Sequence, residues 1–269
     1  MTHPLRYACQ TYSWQMSIDL WRGQVGHLVD VVADAGFTGF EPEFVMLGDD
    51  WSTRSLAADL ERHDGLSLAA LVVAEDWHDH VETAEEADRA DRAVEAAAAL
   101  GSRLVLVPLP GADRSDLDAR QRRIMSCVAE IRDRAGQRGV YTTFHANSPS
   151  GSVFRTPADY EVLRELLPEG VGFTPDLGHL AKGGLDPLTV VQDWGGRVDH
   201  VHVKDLHADG TWAPTGEGVV DVEGVLRHLE STAFSGWVTF EDESPSAKAD
   251  PDAATRRNGA WIAAREAAR

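Results

Sequence analysis

VGFTPDLGHLAKGGLDPLTVVQDWGGRVDHVHVKD, residues 171–205, predicts one strand, one amphipathic helix and a second strand in succession. The first strand covers Val171–Asp176, the helix covers Asp186–Trp194, and the second strand covers Val198–Lys204. The helix opens with Asp186-Pro187, which is the usual pairing of an N-cap residue with a first-turn proline. Because a helix separates the two strands, we expect them to pair in parallel.

The same unit recurs along the whole chain. Short β-rich runs alternate with longer helical patterns, at intervals that fit a strand, a crossover helix and two loops. The predicted strands are Tyr7–Thr11, Phe37–Glu41, Ser67–Val73, Arg103–Val107, Val140–His145, Val171–Asp176, Val198–Lys204 and Trp237–Glu241. The predicted helices are Gln24–Ala35, Ser55–Asp64, Thr83–Leu100, Asp116–Arg138, Thr156–Leu167, Asp186–Trp194, Val222–Thr232 and Asp252–Arg269.

Eight strand-helix units close most economically as a (β/α)8 TIM barrel, because closure removes both edges of the sheet. An open, doubly wound α/β sheet is the alternative architecture. The length of 269 residues fits one barrel, and no stretch has the composition of a linker. We therefore predict an α/β protein with a single barrel domain over residues 1–269.

Composition limits the classes of partner. The chain has 44 acidic against 25 basic residues and a formal charge of −19. This charge would repel phosphate backbones and anionic lipids, so neither nucleic acid nor a membrane is expected as a partner. Two cysteines are too few for a disulfide scaffold, and no run approaches the roughly 18 apolar residues that span a bilayer. We expect a cytoplasmic protein; whether it forms a homo-oligomer stays open.

Polar residues alternate with apolar ones at the ends of four predicted strands. Side chains of a strand point alternately to its two faces, so the polar residues of these strands should point into the barrel. The inward residues at the carboxyl ends are His145, Asp176, His202 and Glu241. Nitrogen and carboxylate donors in this combination suit one divalent ion, manganese first, with cobalt, iron, nickel or zinc as alternatives. Each residue alone is more often a hydrogen-bonded buried group or a helix N-cap.

Four stretches of the chain resemble a known family. They are GFTGFEPE (residues 36–43), FTPDLGHLAKGG (173–184), DHVHVKD (199–205) and GEGVVDVEGVLRHLESTAFSGWVTFEDE (216–243). They are similar to successive signatures of the xylose isomerase-like TIM barrels, a superfamily of sugar isomerases, epimerases and inosose dehydratases. The resemblance extends from Phe37 to Glu241 and implies a small sugar or cyclitol as the substrate.

The resemblance also implies roles for individual residues. In the family, D-x-x-H after strand six, H-x-H-x-K-D on strand seven and a glutamate ending strand eight supply metal and substrate contacts. These motifs correspond here to Asp176 with His179, to His202 with Lys204 and Asp205, and to Glu241.

One position departs from the isomerase pattern. Many isomerases and epimerases of the superfamily have a glutamate at the end of strand five, where this chain has His145. A histidine there is similar to the inosose dehydratase branch, and it weakens a mechanism based on two glutamates while leaving a metal site intact. The endonuclease branch of the superfamily is disfavoured by the charge of −19 and by the single set of four ligands.

The reaction that this resemblance implies is proton abstraction next to a carbonyl, with an enediolate stabilised by the metal. Glu241, His145 and Lys204 are the expected catalytic residues, although Lys204 could equally form only a salt bridge. Expected substrate contacts, each with a purely structural alternative, are His179, Glu41, Glu75 and two tryptophans assigned to loops of the active face, Trp14 and Trp212.

Three outcomes remain open from the sequence. Reprotonation of the enediolate gives a sugar isomerase or epimerase, which we favour. Loss of a β-oxygen gives a lyase, either an inosose dehydratase or an enzyme that cleaves 3-keto-glycosides by β-elimination. The third outcome is a non-catalytic barrel that binds carbohydrate, which a metal ligand displaced from the mouth would favour.

Overall fold

The computed structural model describes residues 4–268. Its strands are β1 Arg6–Gln10, β2 Gly39–Glu41, β3 Ser67–Leu68, β4 Leu71–Glu75, β5 Leu104–Pro108, β6 Thr142–His145, β7 Gly172–Thr174, β8 His200–Val203, β9 Asp205–Leu206, β10 Trp212–Ala213 and β11 Trp237–Phe240. Its α-helices are α1 Tyr12–Gln15, α2 Ile18–Trp21, α3 Val25–Asp34, α4 Thr53–Glu61, α5 Ala84–Leu100, α6 Leu117–Gln137, α7 Pro157–Leu166, α8 Leu177–Lys182, α9 Pro187–Trp194, α10 Val222–Ser231, α11 Pro245–Ala249 and α12 Pro251–Ala267. Short 3-10 helices cover Phe44–Leu47 and Gly195–Arg197.

Parallel strands form the wall of a barrel. Hydrogen bonds join them in two runs, ordered β3-β2-β1-β11-β8 and β4-β5-β6-β7. Isolated backbone hydrogen bonds join the two runs. The Val72 N–H donates to the Pro42 carbonyl and the His202 N–H to the Pro175 carbonyl, both at 3.0 Å, and the Asp199 N–H donates to the Phe173 carbonyl at 3.4 Å. The predicted α/β TIM barrel is therefore confirmed.

The predicted third strand, Ser67–Val73, is wrong in detail. It is divided into β3 and β4 by Ala69 and Ala70. β3 pairs with β2, whereas β4 pairs with β5, so the break lets the chain pass from one run of the wall to the other.

The helices cover the outer face of the wall. All eight predicted helices are present with ends shifted by a few residues, and the last predicted residue, Arg269, lies outside the described part. The apolar face of each strand packs against them, with Val201, Val203, Val238 and Phe240 fully buried. Across residues 4–268, no helix has the length and apolar character that a bilayer span requires.

The barrel interior is closed at its amino-terminal end by Trp237. The Arg6 guanidinium lies 4.5 Å from the centre of its ring. Gly39 allows this packing, because a Cβ at that position would lie 2.7 Å from both the Ala8 Cβ and the Trp237 ring. This packing fills the interior at the amino-terminal end, and a cavity opens at the carboxyl-terminal end.

Candidate metal centre

The four predicted metal ligands converge at the carboxyl end of the barrel. Donor atoms of Asp176, His202 and Glu241 all lie within 4.8 Å of one another, and His145, Asp176 and His179 form a second group of the same size. Between neighbours, His145 Nε2 is 3.5 Å from Asp176 Oδ2, and His202 Nδ1 is 3.4 Å from Glu241 Oε2. All of these side chains are buried.

Unpaired donor atoms within this cluster fit a bound cation. Among the described residues, both ring nitrogens of His145, Asp176 Oδ2 and His202 Nδ1 are buried without a hydrogen-bond partner. Buried polar atoms are nearly always satisfied, so several unpaired ones in groups whose donor atoms lie within 4.8 Å of one another fit a shared ligand. Imidazole nitrogen with carboxylate oxygen is a donor set that divalent transition metals prefer.

The spacing of Asp176 and His179 has a local structural cause. Asp176 is the N-cap of α8, and its Oδ1 accepts a hydrogen bond from the His179 N–H at 2.7 Å. One carboxylate oxygen thus begins the helix while Oδ2 points into the cluster. The N-cap alternative and the metal-ligand prediction for Asp176 are therefore compatible.

Glu41 lies beneath the cluster and orients it. Its carboxylate accepts hydrogen bonds from His200 Nε2 and His202 Nε2, both at 2.6 Å, and from Thr239 Oγ1 at 2.9 Å. Burial alone would raise the pKa of Glu41, but the two imidazoles outweigh it and hold the pKa well below the ordinary value. The side chain is completely buried. It therefore supports His202, as carboxylates behind metal-bound histidines do, and it does not line the cavity in which a substrate contact was expected.

Lys204 places a positive charge beside the cluster. Its ammonium lies 2.7 Å from Glu241 Oε1 and 3.5 Å from Asp176 Oδ2, and it also contacts Glu243. Burial would lower the pKa of Lys204, but the three carboxylates raise it well above its ordinary value. In turn, Lys204 and His202 overcome the effect of burial and lower the pKa of Glu241. Both side chains are therefore charged.

His179 and Trp212 form one side of the mouth. His179 Nδ1 faces the Ser148 hydroxyl at 2.7 Å, and its Nε2 lies 3.2 Å from Lys204 Nζ. Burial, reinforced by Lys204, lowers the pKa of His179 to about 3, so its ring is neutral. Trp212 packs edge-on against His179 at 5.2 Å, on the short hairpin of β9 and β10 that follows β8.

Two residues predicted to contact the substrate lie away from the cavity. Trp14, expected in a loop, lies in helix α1 with no exposed surface, and its Nε1 donates to Asp252 Oδ1 at 2.8 Å. Glu75 ends β4 on the helix-facing side and forms an ion pair with Arg89, whose Nε lies 2.5 Å from Glu75 Oε1. Neither side chain lines the cavity that is formed by His145, His202 and Glu241 at the carboxyl end of the barrel.

A family model described as xylose isomerase-like TIM barrel matches residues 29–265. The chain belongs to this family. Among curated relatives of this xylose isomerase-like barrel is inosose dehydratase from Lacticaseibacillus casei, 27% identical over 148 residues. That match covers 48% of this chain and 49% of the relative, so the alignment spans about half of each protein.

Solved structures share the fold of this xylose isomerase-like barrel. The 3-keto-D-glucoside 4-epimerase of E. coli superposes with a TM-score of 0.76 and 17% identity, over 97% of this chain and 100% of that one. The IOLI protein with a binding zinc atom superposes with a TM-score of 0.70 and 17% identity, over 95% and 96% of the two chains. These likenesses show the fold alone.

The cavity of this xylose isomerase-like barrel has a second wall that the sequence analysis missed. The cavity has a volume of about 400 Å³. One side is formed by three of the predicted metal ligands, with Lys204 and Trp212; these ligands are His145, His202 and Glu241. The other side includes Gln10 at the end of β1, Tyr12 and Gln15 in α1, and Glu43 just after β2. One feature of the sequence indicates that Glu43 faces the cavity: it lies two residues after Glu41, which points into the barrel. A cavity of this size suits a small ligand.

Proposed function

We propose that this barrel is a divalent-metal-dependent enzyme that removes the proton next to the carbonyl of a keto sugar or cyclitol and acts as an isomerase or epimerase. The observation that carries the proposal is the set of unpaired donor atoms on His145, Asp176 and His202 at the base of a cavity of about 400 Å³. With Glu241 they would hold the ion. The zinc of the IOLI neighbour and the epimerase neighbour support this assignment.

A divalent cation, when bound, supplies Lewis acidity that makes a C–H next to a carbonyl more acidic. The chain supplies the rest. The ionised carboxylate of Glu241 accepts the proton, and the Lys204 ammonium, 2.7 Å from it, offsets negative charge that develops on substrate oxygens. The neutral imidazole of His179 and the ring of Trp212 orient hydroxyl groups and a sugar face at the mouth.

Elimination is the second candidate, and it has its own support. His145 lies at the end of β6, where the resemblance to isomerases implies a glutamate, and the sequence relatives include an inosose dehydratase. The two outcomes start with the same proton removal. They differ in mass, because only elimination releases a molecule from the substrate.

The experiment incubates the metal-loaded protein in D2O with three probes: L-ribulose, a 3-keto-D-glucoside and an inosose. Deuterium uptake next to the carbonyl, with conversion to an isomer, supports the proposal. Loss of the mass of one water from a probe favours the lyase. A parent protein that produces neither change overturns the proposal and favours a carbohydrate-binding barrel.

A matched pair of variants controls for folding. Asp176→Asn and Asp186→Asn each alter a helix N-cap, but only Asp176 contributes to the cluster. Asparagine is itself a good N-cap, so both variants should fold. We expect activity to be lost in Asp176→Asn and kept in Asp186→Asn; equal activity in the two would contradict the assigned site.

A further inference from the structure

Among residues 4–268, Glu43 is a buried carboxylate with no ion-pair partner. It follows β2, is 8% exposed, and lines the same cavity as the predicted metal ligands His202 and Glu241. Oε1 accepts a hydrogen bond from Gln10 Nε2 at 3.3 Å, and Oε2 accepts one from Gln15 Nε2 at 2.9 Å. Its backbone N–H donates to Thr11 Oγ1 at 3.0 Å, which fixes the position of the residue.

Neutral donors distinguish Glu43 from the carboxylates of the cluster. Glu41 is bonded to two histidines and Glu241 to Lys204, whereas Glu43 is held by two amides. Amides do not compensate a buried negative charge as a cation does. Burial accordingly raises the pKa of Glu43 to about 7, which is the range in which a carboxyl group both holds and releases a proton at neutral pH.

Titratable groups face Glu43 from two sides. On the side of the cavity these are Glu241, Lys204 and, on the same wall as Glu43, Tyr12. Behind it is a separate cavity of about 650 Å³ between β4 and α5. The charged residues that line that cavity are Arg22, Asp49, Glu75, Glu85, Asp88, Arg89 and Arg92. Arg22 is already paired with Asp49, and Arg89 with Glu75, so neither neutralises Glu43.

The order of strands places Glu43 across the barrel from Asp176. Around the ring the order is β1, β2, β4, β5, β6, β7, β8 and β11, with the two joins described above. β2 and β7 are therefore diametrically opposed, and β1 separates β2 from β11, which precedes Glu241. A substrate whose oxygens face the cluster would present its other face to Glu43.

We propose that Glu43 is a second proton-transfer residue, which delivers its proton to the substrate carbon from the β2 side of the cavity, whereas Glu241 removes a proton from the β11 side. This inference rests on the proposed function and specifies its outcome as inversion at one carbon. Glu241 takes the C–H proton, and the electron pair of that bond moves into the carbon–carbon–oxygen system. The O–H bond of Glu43 then breaks as the new C–H bond forms. Glu241 ends protonated and Glu43 ionised, and exchange with water restores both.

The test compares deuterium exchange with epimer formation in Glu43→Gln, on L-ribulose, the 3-keto-D-glucoside and the inosose. The variant should still exchange the proton that Glu241 removes, with configuration retained, within about threefold of the parent. Epimer formation should fall about 100-fold or more, the usual effect of losing a general acid. Glu85→Gln, which removes an exposed carboxylate from the adjoining cavity, should leave both rates unchanged.

Metal content and a thermal melt show whether Glu43→Gln is intact, and Glu43→Asp provides a second variant. Infrared spectra give a readout without turnover: a protonated carboxyl band present in the parent at pH 6 should be absent from Glu43→Gln. Epimer formation at the parental rate would overturn the inference, as would joint loss of exchange and epimerisation in a variant that keeps its metal. Absence of exchange in the parent would overturn the proposed function itself.

Discussion

Replacement of Glu43 by glutamine should change the free energy of unfolding by a pH-dependent amount. Compared with the parent, the variant should gain stability as the pH rises. The pKa of Glu43 is about 7 in the folded protein and 4.5 ordinarily, so the folded state binds more protons between these values. The parent therefore loses stability as the pH rises through about 7. At about 1.36 kcal/mol per pH unit, this interval corresponds to about 3 kcal/mol. Glutamine does not titrate, so the variant does not lose this part of its unfolding free energy.

The assay is urea unfolding of parent and Glu43→Gln at pH 5 and pH 8. Between these values the difference in unfolding free energy should shift in favour of the variant by about 2 kcal/mol, since part of the unfolded carboxyl is already ionised at pH 5. Loss of one hydrogen bond to Gln10 or Gln15 costs the variant about 1 kcal/mol at both values. A difference that is independent of pH would refute the reasoning, and Glu85→Gln provides the control in which none is expected.

Further predictions concern the support beneath the cluster and the packing of the barrel. Glu41→Gln should lower the affinity for Mn²⁺ about tenfold or more, because His202 loses the carboxylate that orients it; parental affinity in calorimetric titration would contradict that role. Gly39→Ala should destabilise the fold by about 1–3 kcal/mol, since its Cβ would lie 2.7 Å from Ala8 and Trp237; an unchanged urea midpoint would argue against this packing. Trp14→Ala should cost about 3–5 kcal/mol while metal content stays unchanged, because the ring is core and not a sugar platform; loss of metal at preserved stability would reverse that assignment.

Most of the barrel could be predicted because its strands and helices have strong periodic signals. His200, Val201, His202 and Val203 alternate strictly between the interior and the helix-facing side, as expected from a period of two. The short hairpin of β9 and β10 was missed because strands of two residues have no period. It is held instead by Asp205, whose carboxylate accepts hydrogen bonds from the N–H groups of three residues of a later loop, Gly216, Gly218 and Val220.

The candidate site was predictable where residues lie at or just after the carboxyl ends of alternating strands. His145, Asp176, His202 and Glu241 follow from alternation alone, and the structure brings them together. Contacts that depend on short helices were not predictable. Trp14 was misplaced because α1 spans only four residues and carries no amphipathic pattern.

Glu43 shows a different limit of the sequence. It comes two residues after Glu41 but beyond Pro42 and the end of β2, so strand alternation alone does not assign the direction of its side chain. Its partners, Gln10 and Gln15, lie about 30 residues away in sequence and are ordinary polar residues without a motif. Only the folded arrangement shows that this carboxylate is buried among amides.

The most direct test of the metal centre is elemental analysis of the parent, His202→Ala and His207→Ala after loading with Mn²⁺ and dialysis. His207 is exposed on the hairpin loop and serves as the matched histidine control. The account predicts roughly one divalent ion per chain in the parent and in His207→Ala, and loss of the ion in His202→Ala. A parent that retains no metal, or a His202→Ala variant that retains as much as the parent, would contradict it.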